Sequence, residues 1–220
     1  MRISPVDLAG SDIADRLATS ASTDGSAAHP APAALLTRKS TTRDLADATH
    51  FLCMLHGRHP GLAELALERA ALSPAGDWLK RTSAGFAAER LYITKLVVAV
   101  GPLPSTLRQT ECEAAVIGQH HALSMLARSD RMGTALGAAF ALALDWVAVR
   151  AVLDAAARRC GVAVEPTLIP DAIATHAAIT AAAGDPAVAR AIGFGASQLF
   201  VQHRGLWDLL ESRQAARIDQ

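Results

Sequence analysis

Acidic and imidazole side chains inside apolar helical stretches are the groups of this sequence best suited to chemistry. Glu113 and His120 lie seven positions apart, which is two helical turns, so both side chains project from the same face of a helix. His120 also shares an apolar stripe with Val116 and Leu123. This arrangement directs a carboxylate and an imidazole into the interior of a helical bundle, where metal ligands are commonly placed.

Three further polar groups fall at positions that face a predicted core. Asp145 lies in an apolar segment without a polar side, and a buried carboxylate needs an ion pair or hydrogen bonds. Glu89 follows Phe86 by three positions, and His203 lies on the apolar stripe of the last helix. Non-haem iron is bound by oxygen and nitrogen ligands of this kind. The sequence therefore predicts a candidate iron site made of Glu89, Glu113, His120, Asp145 and His203.

A simpler interpretation fits the same residues. A single histidine on an apolar helix face is more often a core histidine that binds a backbone carbonyl or a buried acid. The Glu-x-x-His pairs of ferritin-like di-iron proteins are missing, because Tyr92 follows Glu89 and Val116 follows Glu113 at that spacing. The spacing from Glu113 to His120 is nevertheless similar to that used by some haem-oxygenase-like di-iron folds.

A haem hypothesis rests on two other features. His50 is a candidate axial ligand, and the glycines of residues 133–137 (GTALG) would let a helix approach a macrocycle closely. This stretch resembles the glycine-containing distal helix of bacterial haem oxygenases, and the resemblance implies a haem-binding helical fold. Small residues four apart also serve tight helix packing, so core packing is the alternative interpretation.

The periodicity of apolar residues predicts the helices that would position these candidate ligands. Thr41 and Asp44 form a helix-start signal, and His56, near the end of the same helix, is interpreted as a charge that complements the helix dipole. Residues 132–160 are apolar on every side in their first half, which predicts a central helix. No stretch alternates at period two. The sequence thus predicts an all-α fold, a single bundle of six to eight helices over residues 41–215.

The first forty residues have a different composition. Residues 20–33 read SASTDGSAAHPAPA, a run of small residues that buries too little apolar surface to offset its ordering entropy. We therefore expect this segment to be disordered. Residues 5–17 have the pattern of a short amphipathic helix. Together they predict a flexible N-terminal tail over residues 1–40.

Composition argues against several classes of protein. Lys and Arg total 21 and Asp and Glu total 21, so no net positive field would attract nucleic acid or an anionic membrane. The most apolar stretch, residues 132–149, is interrupted by Asp145 and is interpreted as a buried helix.

No secretory signal is recognised, and the three widely spaced cysteines are expected to stay reduced. We expect a cytoplasmic location, and the excess of Arg and Ala is typical of a bacterium with a GC-rich genome.

Three functional classes fit this pattern. The favoured one is a helical binding or regulatory module without a catalytic motif, which acts through a protein partner or another ligand. The second is an iron- or haem-dependent oxidoreductase with ligands from Glu113, His120 and neighbouring helices. The third is a homodimer, which is compatible with either of the other two classes. It would pack through apolar residues of the last helix that we expect to be exposed: Phe200, Leu206, Trp207, Leu209 and Leu210.

Overall fold

The structure, a computed structural model, describes residues 5–131 and 133–218, and the side chains of residues 12–131 and 133–217. In these ranges the chain forms nine α-helices and no β-strand, which confirms the all-α class. A short 3₁₀ turn (Ser26–Ala28) separates the first two helices. The helices are α1 (Pro5–Thr23), α2 (Pro30–Leu35), α3 (Thr42–His56), α4 (Leu62–Ala70), α5 (Gly76–Val100), α6 (Gln109–Ala127), α7 (Thr134–Cys160), α8 (Ala172–Ala182) and α9 (Pro186–Ile218).

Helix α7 is the central element, as its all-round apolar pattern predicts. Every residue from Thr134 to Ala143 is buried, and α3, α4, α5, α6 and α9 all pack against the helix. Among the described residues, α7 is the one helix long and apolar enough to cross a membrane, and 78% of its most apolar window is buried inside the protein. Such burial is that of a core helix in a soluble protein.

The backbones of α7 and α9 approach each other at two glycines. A Cβ atom on Gly137 would lie 2.0 Å from the carbonyl oxygen of Ile192, and one on Gly195 would lie 2.1 Å from that of Thr134. Real Cβ atoms cannot approach an oxygen so closely, so only glycine fits at either position. The stretch that resembles a distal haem helix therefore packs against α9, in agreement with the core-packing interpretation.

The segment predicted to be disordered is ordered. Residues 20–33 form the end of α1, the 3₁₀ turn and the start of α2, and Ala31 and Pro32 are buried. The prediction is wrong because it counted only apolar surface. The backbone N–H and the hydroxyl of Ser26 donate hydrogen bonds to Asp145, which lies 119 positions along the chain.

Buried ion pairs fix the C-terminal part of α9 on α3. The Arg213 guanidinium binds Asp47 at 2.9 Å, and both side chains are only 1% exposed. Arg217 reaches both Asp47 and Asp44, and Asp44 also completes the predicted capping box with Thr41. These residues hold the end of the bundle together.

The sequence predicts five exposed apolar residues on the last helix, and the structure places four of them in the core. Phe200, Leu206, Trp207 and Leu210 are buried within the chain itself, and Leu209 is partly buried. They are covered because α9 packs on α7, α1 and α6. The exposed apolar surface that the sequence predicts for a homodimer is therefore not formed by these residues, and homodimer formation stays a prediction.

Candidate functional site

The structure brings two of the five predicted metal ligands into contact. His203 Nδ1 of α9 lies 2.5 Å from Asp145 Oδ2 of α7, and both side chains are 1% exposed. The buried carboxylate thus has the partner that its position requires.

The other predicted residues each bind a separate partner. Glu89 accepts a hydrogen bond from Arg150 at 2.6 Å. His120 Nδ1 is 2.9 Å from the carbonyl oxygen of Leu55, and His50 Nε2 is 2.8 Å from that of Gly101. Glu113 accepts from Gln109 at 2.8 Å. The five candidate metal ligands therefore do not form a preassembled set, and iron or haem binding stays a prediction that metal analysis of the purified protein would test.

Among the described residues, one other group of three side chains could bring metal-ligand atoms close together. Ligand atoms of His29, Asp208 and Glu211 lie within 4.8 Å of one another. His29 Nδ1, however, accepts the N–H of Ala31, so its Nε2 must carry the hydrogen that binds Asp208 at 3.0 Å. No lone pair is left for a metal, and this trio is better explained as a helix cap with an ion-pair partner.

Asp145 is the centre of a buried hydrogen-bond network. Its Oδ1 accepts the N–H of Ser26 at 2.6 Å, and its Oδ2 accepts both the Ser26 hydroxyl and the His203 N–H at 2.5 Å. Trp207 Nε1 then donates to Ser26 Oγ at 2.7 Å. Burial alone would raise the pKa of Asp145, but the hydrogen bonds from His203 and Ser26 outweigh it and hold the pKa below its ordinary value. Asp145 is therefore a carboxylate at neutral pH.

The charge on Asp145 determines where one hydrogen atom sits in His203. A carboxylate only accepts, so His203 Nδ1 carries the hydrogen that it shares with Asp145. His203 Nε2 lies 3.0 Å from His56 Nε2, and one of these two nitrogens donates to the other. The result is a chain of hydrogen bonds that joins His56, His203 and Asp145.

His56 is not the helix-dipole cation that the sequence indicates. Its ring is enclosed, edge-on to Trp146 with ring centres 5.3 Å apart and edge-on to His203 at 5.0 Å. Burial, and after it the charges of His203 and His120, lower the pKa of His56 well below its ordinary 6.5. His56 is thus neutral at pH 7, because α9 and α7 cover it.

This lowered pKa predicts a pH-dependent stability. The unfolded chain takes up a proton on His56 near pH 6.5, whereas the folded chain does so only at lower pH. The contribution of His56 is therefore complete above pH 6.5 and is lost as the pH falls toward the folded pKa, by at most about 1.4 kcal/mol per pH unit. Urea unfolding of the wild type and of His56→Gln at several pH values measures this contribution to the free energy of unfolding. A stability gap between them that stays constant from about pH 8 to pH 5 would contradict the assignment.

The far side of His56 borders a very small cavity. Its volume is about 20 Å³, and His120, Ser124 and Arg90 also line it. Arg90 is bound by both carboxylate oxygens of Glu64, at 2.6 and 3.1 Å. Such a cavity has room for about one water molecule and not for an organic substrate.

The buried network also lacks the geometry of a nucleophilic triad. A triad needs a serine whose hydroxyl donates to histidine, whereas the Ser26 hydroxyl donates to Asp145. Ser26 is fully buried as well. The network can hold and transfer protons among its members, but it presents no nucleophile to a substrate.

A large groove lies on the surface directly beside this network. It runs between α1 and α9, has a volume of about 730 Å³, and is lined by apolar and by charged side chains. Asp24 lines it one residue before Gly25, and Arg204 lines it one residue after His203. Sequence reasoning missed the groove, because one of its walls belongs to the segment predicted to be a flexible tail.

Comparison with known proteins gives one match. No curated protein and no solved structure matches the chain. One family model covers residues 21–218, which include Ser26, His56, Asp145 and His203 as well as the α9 wall of the groove, but only Asp24 of the opposite wall. The chain therefore belongs to this family, which is described as a family of unknown function (DUF6975).

Proposed function

We propose that the protein is a helical binding module that holds a small anionic amphiphile, an apolar chain with an acidic head group, in the groove between α1 and α9. The size and lining of the groove carry the proposal. Its volume of about 730 Å³ falls within the range of about 300–1,000 Å³ for small-molecule sites. The other cavity beside the buried histidines is too small for an organic ligand, which favours a binding role over catalysis.

The apolar lining of the groove suits a hydrocarbon chain. Ile13, Leu17, Ala196 and Phe200 line it, and Gly193 adds depth because it has no side chain. The lining on this side extends from Ile13 to Asp24, just beyond the end of α1, and eleven steps of helical rise correspond to roughly 16 Å. A chain of medium length, such as that of laurate, suits this span.

Two guanidinium groups of the groove lining favour an acidic head group. Arg16 and Arg190 both line the groove, and Arg16 also lies 3.6 Å from the exposed carboxylate of Asp12. Arg204 lies 3.7 Å from Asp24, which neutralises it in part. We therefore expect the acid to sit between Arg16 and Arg190, since guanidinium groups bind carboxylates with paired hydrogen bonds.

Calorimetric titration with laurate and with dodecanol tests the proposal. We expect one laurate to bind per chain, and dodecanol, which has the same chain without the charge, to bind at least several-fold more weakly. Equal binding of both would remove the role assigned to the arginines. Absence of laurate binding would overturn the small-ligand proposal, and would leave a protein partner as the remaining occupant for the groove.

A substitution that fills the groove gives a sharper test. A Cβ atom on Gly193 would meet only Ile13 Cδ1, at 3.6 Å, so Gly193→Leu should fold and place its side chain in the groove. Gly118→Leu is the matched control, because Gly118 is also a helical glycine and a Cβ atom there has no neighbour within 4 Å. We expect Gly193→Leu to lower laurate affinity at least tenfold and Gly118→Leu to leave it unchanged. Equal affinities of the two variants would place the ligand elsewhere.

The cellular setting is part of the same proposal. Three free cysteines are present and none is paired in a disulfide. This state suits the reducing cytoplasm of a bacterium, which is the location that we propose. A module there would carry or sense a soluble amphiphile.

A further inference from the structure

A second cavity lies between α7 and the segment that leads from it into α8. Its volume is about 430 Å³, which falls within the range of about 300–1,000 Å³ for small-molecule sites. Its α7 wall includes Trp146, Val147 and Asp154, and its other wall includes Ile169 and Pro170. The cavity shares no lining residue with the groove between α1 and α9, so it is a separate site.

The segment that forms the second wall is held in place. Arg150 Nη2 on α7 donates a hydrogen bond to the backbone carbonyl oxygen of Glu165. A Cβ atom on Gly85 would lie only 2.9 Å from the backbone nitrogen of Ile169, so glycine lets the segment lie directly against α5. The cavity is therefore preformed, and little ordering entropy is lost when a ligand enters it.

The ion pairs beside the cavity leave an excess of negative charge. Arg150 binds two carboxylates, Asp154 through Nε at 2.7 Å and Glu89 through Nη1 at 2.6 Å. Glu89 is 2% exposed, and its Oε2 has no hydrogen-bond partner among the described residues. Lys95 does not compensate this charge, because it pairs with Glu165 at 2.6 Å. One guanidinium thus serves two carboxylates, and a further cation would be stabilised there.

Asp154 presents this negative charge to the cavity. Its Oδ1 accepts hydrogen bonds from the Tyr92 hydroxyl at 2.9 Å and from Arg150. Its Oδ2 accepts none from any residue that the structure describes, and the side chain is 18% exposed and lines the cavity. Asp171 also lines the cavity, but its Oδ1 caps α8 by accepting the N–H of Ala174. Asp154 Oδ2 is therefore an acceptor available to a ligand.

We propose that this cavity binds a small organic cation, an ammonium group attached to an apolar body. The ammonium donates to Asp154 Oδ2, and the body packs between Val147 and the wall formed by Ile169 and Pro170. An ammonium group has only donors and a carboxylate only acceptors, so the two are complementary. An anion is disfavoured, because Arg150 is the one cation of the lining and already binds two carboxylates. The proposal goes beyond the groove and does not depend on it.

Calorimetric titration with phenethylamine and with phenethyl alcohol at about pH 7.5 tests the proposal, because only the amine is charged at this pH. We expect one phenethylamine to bind per chain, and phenethyl alcohol, which has the same aromatic body, to bind roughly tenfold more weakly. Equal affinities would overturn the role of the charge. Absence of phenethylamine binding up to roughly 10 mM would overturn the site itself.

Asp154→Asn removes the charge and keeps a carbonyl acceptor for Tyr92 and Arg150, and circular dichroism verifies that the variant folds. We expect its affinity for phenethylamine to fall roughly tenfold, to the level of phenethyl alcohol. Asp130→Asn is the matched control, because the Asp130 side chain is 92% exposed and does not line the cavity. An Asp154→Asn variant that binds the amine like the wild type would overturn the assignment of the ammonium to Asp154.

A second pair of variants locates the bound amine at positions where folding is safe. Val147 and Val98 are both exposed helical valines, at 77% and 79%, but only Val147 lines the cavity. Val147→Lys should weaken phenethylamine binding several-fold by repulsion, and Val98→Lys and Gly193→Leu should leave it unchanged. Equal affinities of the two lysine variants would overturn the cavity as the site, and loss of binding in Gly193→Leu alone would place the amine in the groove instead.

Discussion

Replacing Asp145 with alanine is expected to lower the free energy of unfolding by about 3–5 kcal/mol. The substitution removes the carboxylate that binds His203, and it leaves the N–H and the hydroxyl of Ser26 without their acceptors. Unsatisfied donors in a dry interior are costly, because in the unfolded chain water satisfies them. Urea unfolding followed by circular dichroism measures the change.

Asp130→Ala provides the matched control for this prediction. Asp130 also binds a cation, Arg69 at 3.1 Å, but its side chain is 92% exposed. Water replaces a lost partner at such a surface, so this variant should unfold almost like the wild type. A similar loss of stability in both variants would mean that the network around Asp145 contributes no more than a surface ion pair.

Replacing Gly137 with alanine is expected to lower the free energy of unfolding by about 1–3 kcal/mol or more. The new methyl group would lie 2.0 Å from the carbonyl oxygen of Ile192, which belongs to the backbone of α9 and cannot rotate away. The two helices must move apart, and the contact at Gly195 would be lost with them. Thermal or urea unfolding measures the loss.

Gly118→Ala makes the same chemical change where space is free. A Cβ atom on Gly118 has no neighbour within 4 Å, and alanine favours a helix over glycine by about 1 kcal/mol. This variant is therefore expected to be more stable than the wild type, so the two glycine substitutions should have opposite signs. Stabilisation by Gly137→Ala would show that α7 and α9 do not approach as closely as the structure describes.

The helices were predictable because their signals are local. The capping pair Thr41 and Asp44 and the all-round apolar start of α7 identify their elements within a few turns of sequence. The prediction failed at Ser26, which lies among small residues with no periodic pattern. Its order depends on Asp145, and nothing in the neighbouring residues indicates that contact.

The candidate site was predictable only in part. Asp145 in an apolar helix had to have a partner, and His203 was among the inward-facing candidates, but helical spacing cannot select it over His120 or Glu113. His56 was misinterpreted for the same reason. At a helix end an imidazole complements the dipole as a cation or is buried as a neutral ring, and the choice depends on whether another helix covers it.

The sequence by itself determined the all-α class, the central place of α7 and the need of Asp145 for a partner, because these depend on periodicity and on the cost of burying charge. The tertiary structure alone decided that His56, His203, Asp145 and Ser26 form one network, and that α1 and α9 enclose a groove beside it. Those contacts join residues more than 50 positions apart. Contacts between residues so far apart depend on how the helices pack and on which backbones can approach each other at glycine. No local sequence pattern indicates them.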